Sequence, residues 1–331
     1  MNTPVLEISG LTVEVAGSAP RQVVVDAADL QVAAAEAVGL VGESGSGKTT
    51  VLRAALRLLP HGLTQTAGQV RFDGLDLAVA QPHLLREIRG GKVGVVWQDP
   101  LAALDPLMRV GDQIAETIRA HRPLDGHAAH EATLGLMRLV ELPDPARTYR
   151  AYPHQLSGGQ RQRVVIAAAI GTEPRLLLAD EPTTALDVTV QDQVLRLIAR
   201  LRHDLRLGLL LVSHDLAVVG QTCDRVAVMY AGRIVETGPV AAVFRSPRHH
   251  YSAGLLAAAP DVGRPGVLPF AIPGSPPATG AGAGCAFAPR CPLADERCRT
   301  STQQLQGVGE HRAACHHPLE DRGAAATAAH A

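Results

Sequence analysis

Between the apolar run Val38–Val41 and the helix-compatible stretch TVLRAALRLL lies the octapeptide GESGSGKT, Gly42–Thr49. It satisfies G-x-x-x-x-G-K-[ST] at every position, in the strand–loop–helix setting that gives the pattern its meaning. Gly45 and Gly47 let the backbone turn tightly, so that successive N–H groups can face phosphate oxygens. The helix that follows presents its positive end to the same anion. Lys48 adds a full charge for the β- and γ-phosphates, and Thr49 offers a hydroxyl to Mg²⁺. Gly42, Glu43, Ser44, Gly45, Ser46, Gly47, Lys48, Thr49 and Thr50 therefore form a candidate nucleotide cradle.

The second half of such a site is legible in RLLLADEP, Arg175–Pro182, an apolar strand that ends in two carboxylates. Asp180 is expected to hold Mg²⁺ directly or through water, as hard oxygen ligands do. Glu181, one residue further, is placed to orient and polarise a water for in-line attack on the γ-phosphate. An isolated Asp-Glu pair would merely cap a strand; the phosphate loop in the same chain gives it its meaning.

A hydrophobic content of 46% supports a packed core, and at 3% aromatic residues that core must be built from Ala, Val and Leu. The 31 Lys and Arg nearly cancel the 32 Asp and Glu, so the chain lacks the positive field that coating nucleic acid needs. No apolar run is long enough to span a bilayer, and the N-terminus lacks a basic and apolar signal. The expected location is the cytosol, or a membrane reached through partners.

Strands are expected at Gln22–Val25, Val38–Val41, Val93–Trp97, Arg175–Ala179, Leu209–Ser213 and Val226–Tyr230. Their unbroken apolar character suits a sheet covered on both faces. Helices are expected at Leu134–Val140, Arg161–Ala169 and Val190–Arg202, which makes residues 1–259 an α/β unit. Residues 260–284 hold six Pro and six Gly, too many for a regular element, and read as a linker or strap. Residues 285–317 contain four of the five cysteines, and 318–331 end in a low-complexity, disordered tail.

The pieces LSGGQ (Leu156–Gln160), Gln98 in WQDP, TTALD (Thr183–Asp187), His214 in VSHD and VMYAGRIVETG (Val228–Gly238) occur in one order. On them the chain resembles the nucleotide-binding subunits of ATP-binding-cassette transporters. QDPLAALDP, ADEPTTALDVTVQ, PRHHYSAGLLAA and IPGSPP are similar to the branch that imports dipeptides, oligopeptides and in some relatives nickel. The wording TTALDVTVQ and MYAGRIVETG looks most like the first of that branch's two ATPase subunits. The fold implied is a RecA-like core with an antiparallel β subdomain, an inserted helical subdomain over about 99–164, and a small cysteine-bearing extension.

The resemblance implies head-to-tail pairing of two cassettes. The phosphate loop of one faces Ser157, Gly158, Gly159 and Gln160 of the other, where a serine hydroxyl and backbone N–H groups meet the γ-phosphate. Gln98 would reach Mg²⁺ or the attacking water and relay nucleotide state. His214, alone among 14 histidines in standing at a family position, would contact the γ-phosphate and help to fix Glu181. Asp187 would lie at the dimer seam. The implied partners are two membrane permease subunits, a second homologous ATPase subunit and, indirectly, an extracytoplasmic solute-binding protein, with the chain on the cytoplasmic face of the membrane. Nickel or metallophore import by the same mechanism is the alternative. A soluble cassette acting on ribosomes or DNA is disfavoured by the single phosphate loop and the lack of heptads or basic excess.

One departure concerns the base. The family commonly stacks adenine on an aromatic side chain near the first strand, yet residues 1–71 contain no aromatic side chain apart from His61. The adenine is expected to rest on aliphatic groups, Val23 or Val15, or to be held mainly through its phosphates.

Cys285, Cys291, Cys298 and Cys315 are separated by 5, 6 and 16 residues, unlike the paired spacing of a zinc ribbon. A reducing compartment argues against disulfides. The resemblance implies a [4Fe–4S] cluster, which takes four cysteine ligands. Zinc, with His311, His316 or His317 replacing a cysteine, and unliganded thiols remain the alternatives. Cys223 is expected to be a buried, inert thiol.

Overall fold

The computed structural model describes residues 4–19, 21–184, 186–258, 271–277 and 282–320. Most of the strap expected at 260–284 and the final residues of the tail lie outside that set. Twelve strands are formed among the described residues. In chain order they are β1 Pro4–Val15, β2 Val23–Ala33, β3 Ala37–Val41, β4 Leu63–Phe72, β5 Leu75–Asp76, β6 Val93–Val96, β7 Leu176–Asp180, β8 Gly208–Ser213, β9 Arg225–Tyr230, β10 Arg233–Pro239, β11 Gln306–Val308 and β12 His311–Ala313. The chain divides into two compact units. One comprises residues 1–6, 32–37 and 72–211, the other residues 7–31, 38–71 and 212–331.

In the first unit β8, β7 and β6 are neighbours in that order, and β6 runs parallel to β7 with Val93 opposite Leu176 and Val96 opposite Ala179. All five residues of β7 are buried, which explains why its sequence is apolar without alternation. The helices Val110–His121, Gly126–Leu139, Pro145–Tyr149 and Gly158–Ile170 lie between β6 and β7 in sequence. The first of these buries Val110, Ile114 and Ile118, and the last buries Val164–Ala167, Ala169 and Ile170 towards its C-terminal end. Tyr149 seals this cluster: its hydroxyl donates to Asp112 Oδ1 at 3.0 Å and its ring packs edge-on against His130. Burial, with Asp112 alongside, raises the Tyr149 phenol to about 12.

The second unit contains β2, β1 and β4 as neighbours in one sheet, and a second sheet in the order β11, β12, β10, β9, β3. β3 runs parallel to β9, while β10 turns back antiparallel on β9 and β12 adds antiparallel to β10. The cysteine-bearing segment is thus built onto the same sheet that carries the phosphate loop. A buried carboxylate fixes the join. Glu236 on β10 accepts the backbone N–H groups of Arg248 at 2.7 Å and His249 at 2.9 Å, and lies 2.7 Å from His311 Nε2 on β12. Charge-assisted bonds of this kind are the strong ones, and a buried carboxylate needs them.

The helix Val110–His121 offers a test in which two effects have opposite signs. On helix propensity, Gly111→Ala gains about 1 kcal/mol. In the structure a Cβ at Gly111 would stand 2.2 Å from the Tyr149 ring. Overpacking costs about 1–3 kcal/mol, so the variant is expected to unfold at lower urea than the native chain. A gain in the midpoint would refute the packing account.

Candidate functional site

The phosphate loop leaves β3 and enters the helix Lys48–Ala55. Gly45 and Gly47 have φ of +79° and +104°, the region that side chains other than glycine rarely adopt, and so supply the turn required of them. Lys48 is buried, and its Nζ donates to the carbonyl oxygens of Gly42 at 2.8 Å and Glu43 at 2.9 Å. The helix start has neither a side-chain cap nor an acidic residue in its first turn, so no protein group of its own neutralises the dipole. Ser46 Oγ is buried without a hydrogen-bond partner, and Ser44 and Gly45 are exposed. This surface suits a dense anion carrying its own acceptors. The residues present therefore fit a nucleotide phosphate with its Mg²⁺.

The loop is held from below. Glu43 N–H donates to the Tyr251 hydroxyl at 2.8 Å, and Gly232 N–H donates to the Ser46 carbonyl at 2.9 Å. Tyr230 and Tyr251 pack with ring centroids 4.5 Å apart, and Phe287 closes the group at 5.3 and 5.5 Å. Burial raises both phenols above their ordinary value. On the other flank, Val15 N–H donates to Gln22 O at 2.9 Å, which closes the turn between β1 and β2. A Cβ at Gly47 would lie 2.9 Å from Val24 O, so the start of β2 is pressed against the loop.

His214 belongs to the same unit and is exposed directly after β8. Gln98, Asp180, Glu181, Asp187 and the LSGGQ segment belong to the other. There, Asp180 is buried at the end of β7. Glu181 leaves the strand with φ +46°, a costly conformation for a residue with a side chain. Gln98 Nε2 donates to Glu181 Oε2 at 3.3 Å, and Thr184 Oγ1 donates to the same oxygen at 2.9 Å. Two side chains thus orient the carboxylate expected to act on water. Thr184 was legible only as part of TTALD, since a hydroxyl three residues away carries no pattern of its own. Asp187 accepts the N–H of Val190 and caps the helix Val188–Leu205.

Ser157 caps the helix Gly158–Ile170. Its hydroxyl accepts the Gln160 N–H at 3.3 Å, and Gln160 Oε1 accepts the Ser157 N–H at 2.9 Å. Ser157 itself is exposed. Gly159 has a second constraint that the sequence did not reveal, since a Cβ there would stand 2.5 Å from Val190 Cγ1.

The four C-terminal cysteines surround one small cavity of about 20 Å³, together with His249, His250, Phe287, His316 and His317. Burial pushes the thiols of Cys285 and Cys291 up and that of Cys315 up to about 11, and every pair of the four interacts electrostatically. Cys298 N–H donates to Asp295 Oδ1 at 2.9 Å, and His317 Nε2 lies 2.9 Å from Asp295 Oδ2. His311 is occupied by Glu236, so of the three histidines considered as ligands two line the cavity. Cys223 is buried and forms no disulfide among the described residues.

The sequence profile of the family described as ABC transporter matches residues 25–184, and that described as oligopeptide/dipeptide transporter, C-terminal region, matches residues 235–298. A protein of Brucella abortus named for peptide import and ATP binding is 45% identical over 296 residues, 89% of each chain. The oligopeptide transport ATP-binding protein OppD of Mycobacterium tuberculosis is 44% identical over 317 residues, 95% of this chain and 52% of that one. Among solved structures, a dimeric post-hydrolysis ATP-binding cassette bound to ADP and Pi has a TM-score of 0.64 at 26% identity, covering 71% of this chain and 98% of its own.

Removing the Thr184 hydroxyl tests the carboxylate geometry. A hydrogen bond to a charged group contributes about 1.5–3 kcal/mol, so Thr184→Val is expected to slow triphosphate turnover about 10-fold or more with KM nearly unchanged. Thr184→Ser should retain the rate. Equal rates for the valine and native proteins would exclude this orienting role.

Proposed function

The chain belongs to the ATP-binding-cassette transporter ATPases, and from that premise we propose that it powers the import of peptides as the ATP-hydrolysing subunit of a membrane complex. The observation that carries this reading is the phosphate loop, turned at two positive-φ glycines and left without a capping group of its own. The similarity along nearly the whole chain to proteins named for peptide import supplies the substrate class.

In this reading the loop N–H groups and Lys48 bind the β- and γ-phosphates, while Thr49, Gln98 and Asp180 hold Mg²⁺. Glu181, oriented by Gln98 and Thr184, takes the proton of the attacking water, and His214 stabilises that arrangement. Ser157, Gly158, Gly159 and Gln160 serve the nucleotide of a second cassette, with Asp187 at the seam between the two. The base rests on aliphatic groups, Val15 or Val23, or is held mainly through its phosphates. Among the described residues no helix is long and apolar enough to cross a membrane. Two permease subunits therefore supply the membrane path. The chain works on their cytoplasmic side with a second, homologous ATPase, and a solute-binding protein outside delivers the peptide.

The cysteine cavity is read as the seat of a [4Fe–4S] cluster. Four thiolates on one zinc ion would stand about 3.8 Å apart. Among the described residues the donor atoms that gather as a trio within 4.8 Å are those of Asp295, Cys298 and His317, not three of the thiols. Four cysteines lining one cavity match the four thiolate ligands that a cluster takes, and its irons would stabilise thiolates that burial alone disfavours.

Two measurements test these assignments. Glu181→Gln is expected to bind ATP, form a stable dimer and lose about 10²–10⁴-fold in turnover; unchanged hydrolysis would contradict the role of Glu181. Protein purified without oxygen is expected to be brown, with about four iron and four sulfide per chain. Colourless, iron-free protein would remove the cluster.

A further inference from the structure

Arg290 lies between Cys285 and Cys291, at the end of the short turn Ala288–Arg290 that forms part of the cysteine cavity's wall. Its side chain is only 5% exposed and reaches the phosphate loop 247 residues away in sequence. Nη1 donates to Glu43 Oε2 at 2.8 Å and Nη2 to Glu43 Oε1 at 3.1 Å, the bidentate fork that guanidinium and carboxylate geometries allow. The remaining donors are also used. Nη1 donates to the Tyr230 hydroxyl at 3.2 Å, Nη2 to Ile272 O at 3.2 Å and Nε to Pro273 O at 2.8 Å. All five N–H donors of the guanidinium thus have acceptors. The same group packs 5.8 Å from the Tyr230 ring centroid and 5.9 Å from that of Phe287.

Three parts of the molecule meet at this one side chain: the phosphate loop through Glu43, the IPGSPP segment through two carbonyls, and the cysteine cavity through the backbone on which Arg290 sits. Glu43 is the second residue of the loop, and its carbonyl is one of the two that hold Lys48. A displacement of Glu43 therefore moves the lysine meant for the phosphates.

We propose that Arg290 is a positioning residue of the phosphate loop, making nucleotide affinity depend on the folded state of the cysteine cavity. Phe287 and Ala288 line the cavity and stand three and two residues before Arg290, so the cavity's packing sets where the guanidinium can reach. Arg290 bonds to the loop through the Glu43 side chain; it acts on nucleotide through Glu43 and Lys48. The inference rests on the phosphate loop being the nucleotide site.

The test is equilibrium binding of Mg-ADP to the full chain. Arg290→Ala and Glu43→Gln are each expected to weaken binding about 10-fold, and the double variant no further, because both remove one interaction. Arg290→Lys, which keeps the charge but not the fork, should recover part of the affinity. Cys298→Ser, which disturbs the cavity, should weaken binding in the native background and have no additional effect in Arg290→Ala. Should Arg290→Ala fail to fold, Glu43→Gln and Arg290→Lys decide the matter alone. Native affinity in folded Glu43→Gln or Arg290→Ala, or additive losses in the double variant, would overturn the proposal. Lys48→Ala serves as the separate control: if it binds Mg-ADP normally, the assignment of the nucleotide site fails, and not the coupling.

Discussion

A loop that must offer its N–H groups to an anion cannot spend them all on holding itself in place. The phosphate loop of this chain meets that constraint by being fastened chiefly through acceptors. The carbonyls of Gly42, Glu43 and Ser46 receive donors from Lys48 and Gly232, and the Glu43 carboxylate receives the guanidinium of Arg290. At the loop's base the Glu43 N–H is given to the Tyr251 hydroxyl, and within the loop the Ser46 N–H is given to the Glu43 carbonyl at 3.2 Å. Much of the second unit follows from supplying the loop's partners, the donors Gly232 and Arg290 and the acceptor Tyr251. The β9–β10 turn brings Gly232, the helix His250–Ala258 brings Tyr251, and the cysteine segment brings Arg290.

The parallel strands were legible because burial on both faces leaves unbroken apolar runs, as in β3, β7 and β8. Of the four-stranded sheet only the start of β2 was read from the residues, at Gln22–Val25, and the rest was reached through resemblance. β4, LTQTAGQVRF, is exposed along most of its length and offers no alternation to read, while β1 is interrupted by Gly10. Local chemistry was likewise readable where a motif fixes it: Gly45 and Gly47 have the turn their positions demand. Tyr251, Arg290 and Thr184 were not found. The first two work across more than 200 residues of chain, and nothing near them in sequence marks the partner.

The cysteine spacing was opaque for the same reason. Sixteen residues separate Cys298 from Cys315, and the intervening hairpin of β11 and β12 brings the chain back. Its return is dictated by a contact outside the segment, the pairing of β12 with β10 and the meeting of His311 with Glu236. The scarcity of aromatic side chains also acquires a meaning. Three of the nine, Tyr230, Tyr251 and Phe287, are gathered under the phosphate loop, where a stiff platform is needed.

The pairing of β12 with β10 has a further consequence. A bare β10 would display a ladder of unspent backbone groups beside the buried Ile234 and Val235, the kind of border along which neighbouring molecules stick to one another. The C-terminal segment covers that border and replaces it with β11, three residues long and exposed throughout. Short, solvated margins of this sort recruit no further strands. The segment is therefore also a guard of solubility, and its loss would show as clumping before it showed as lost chemistry.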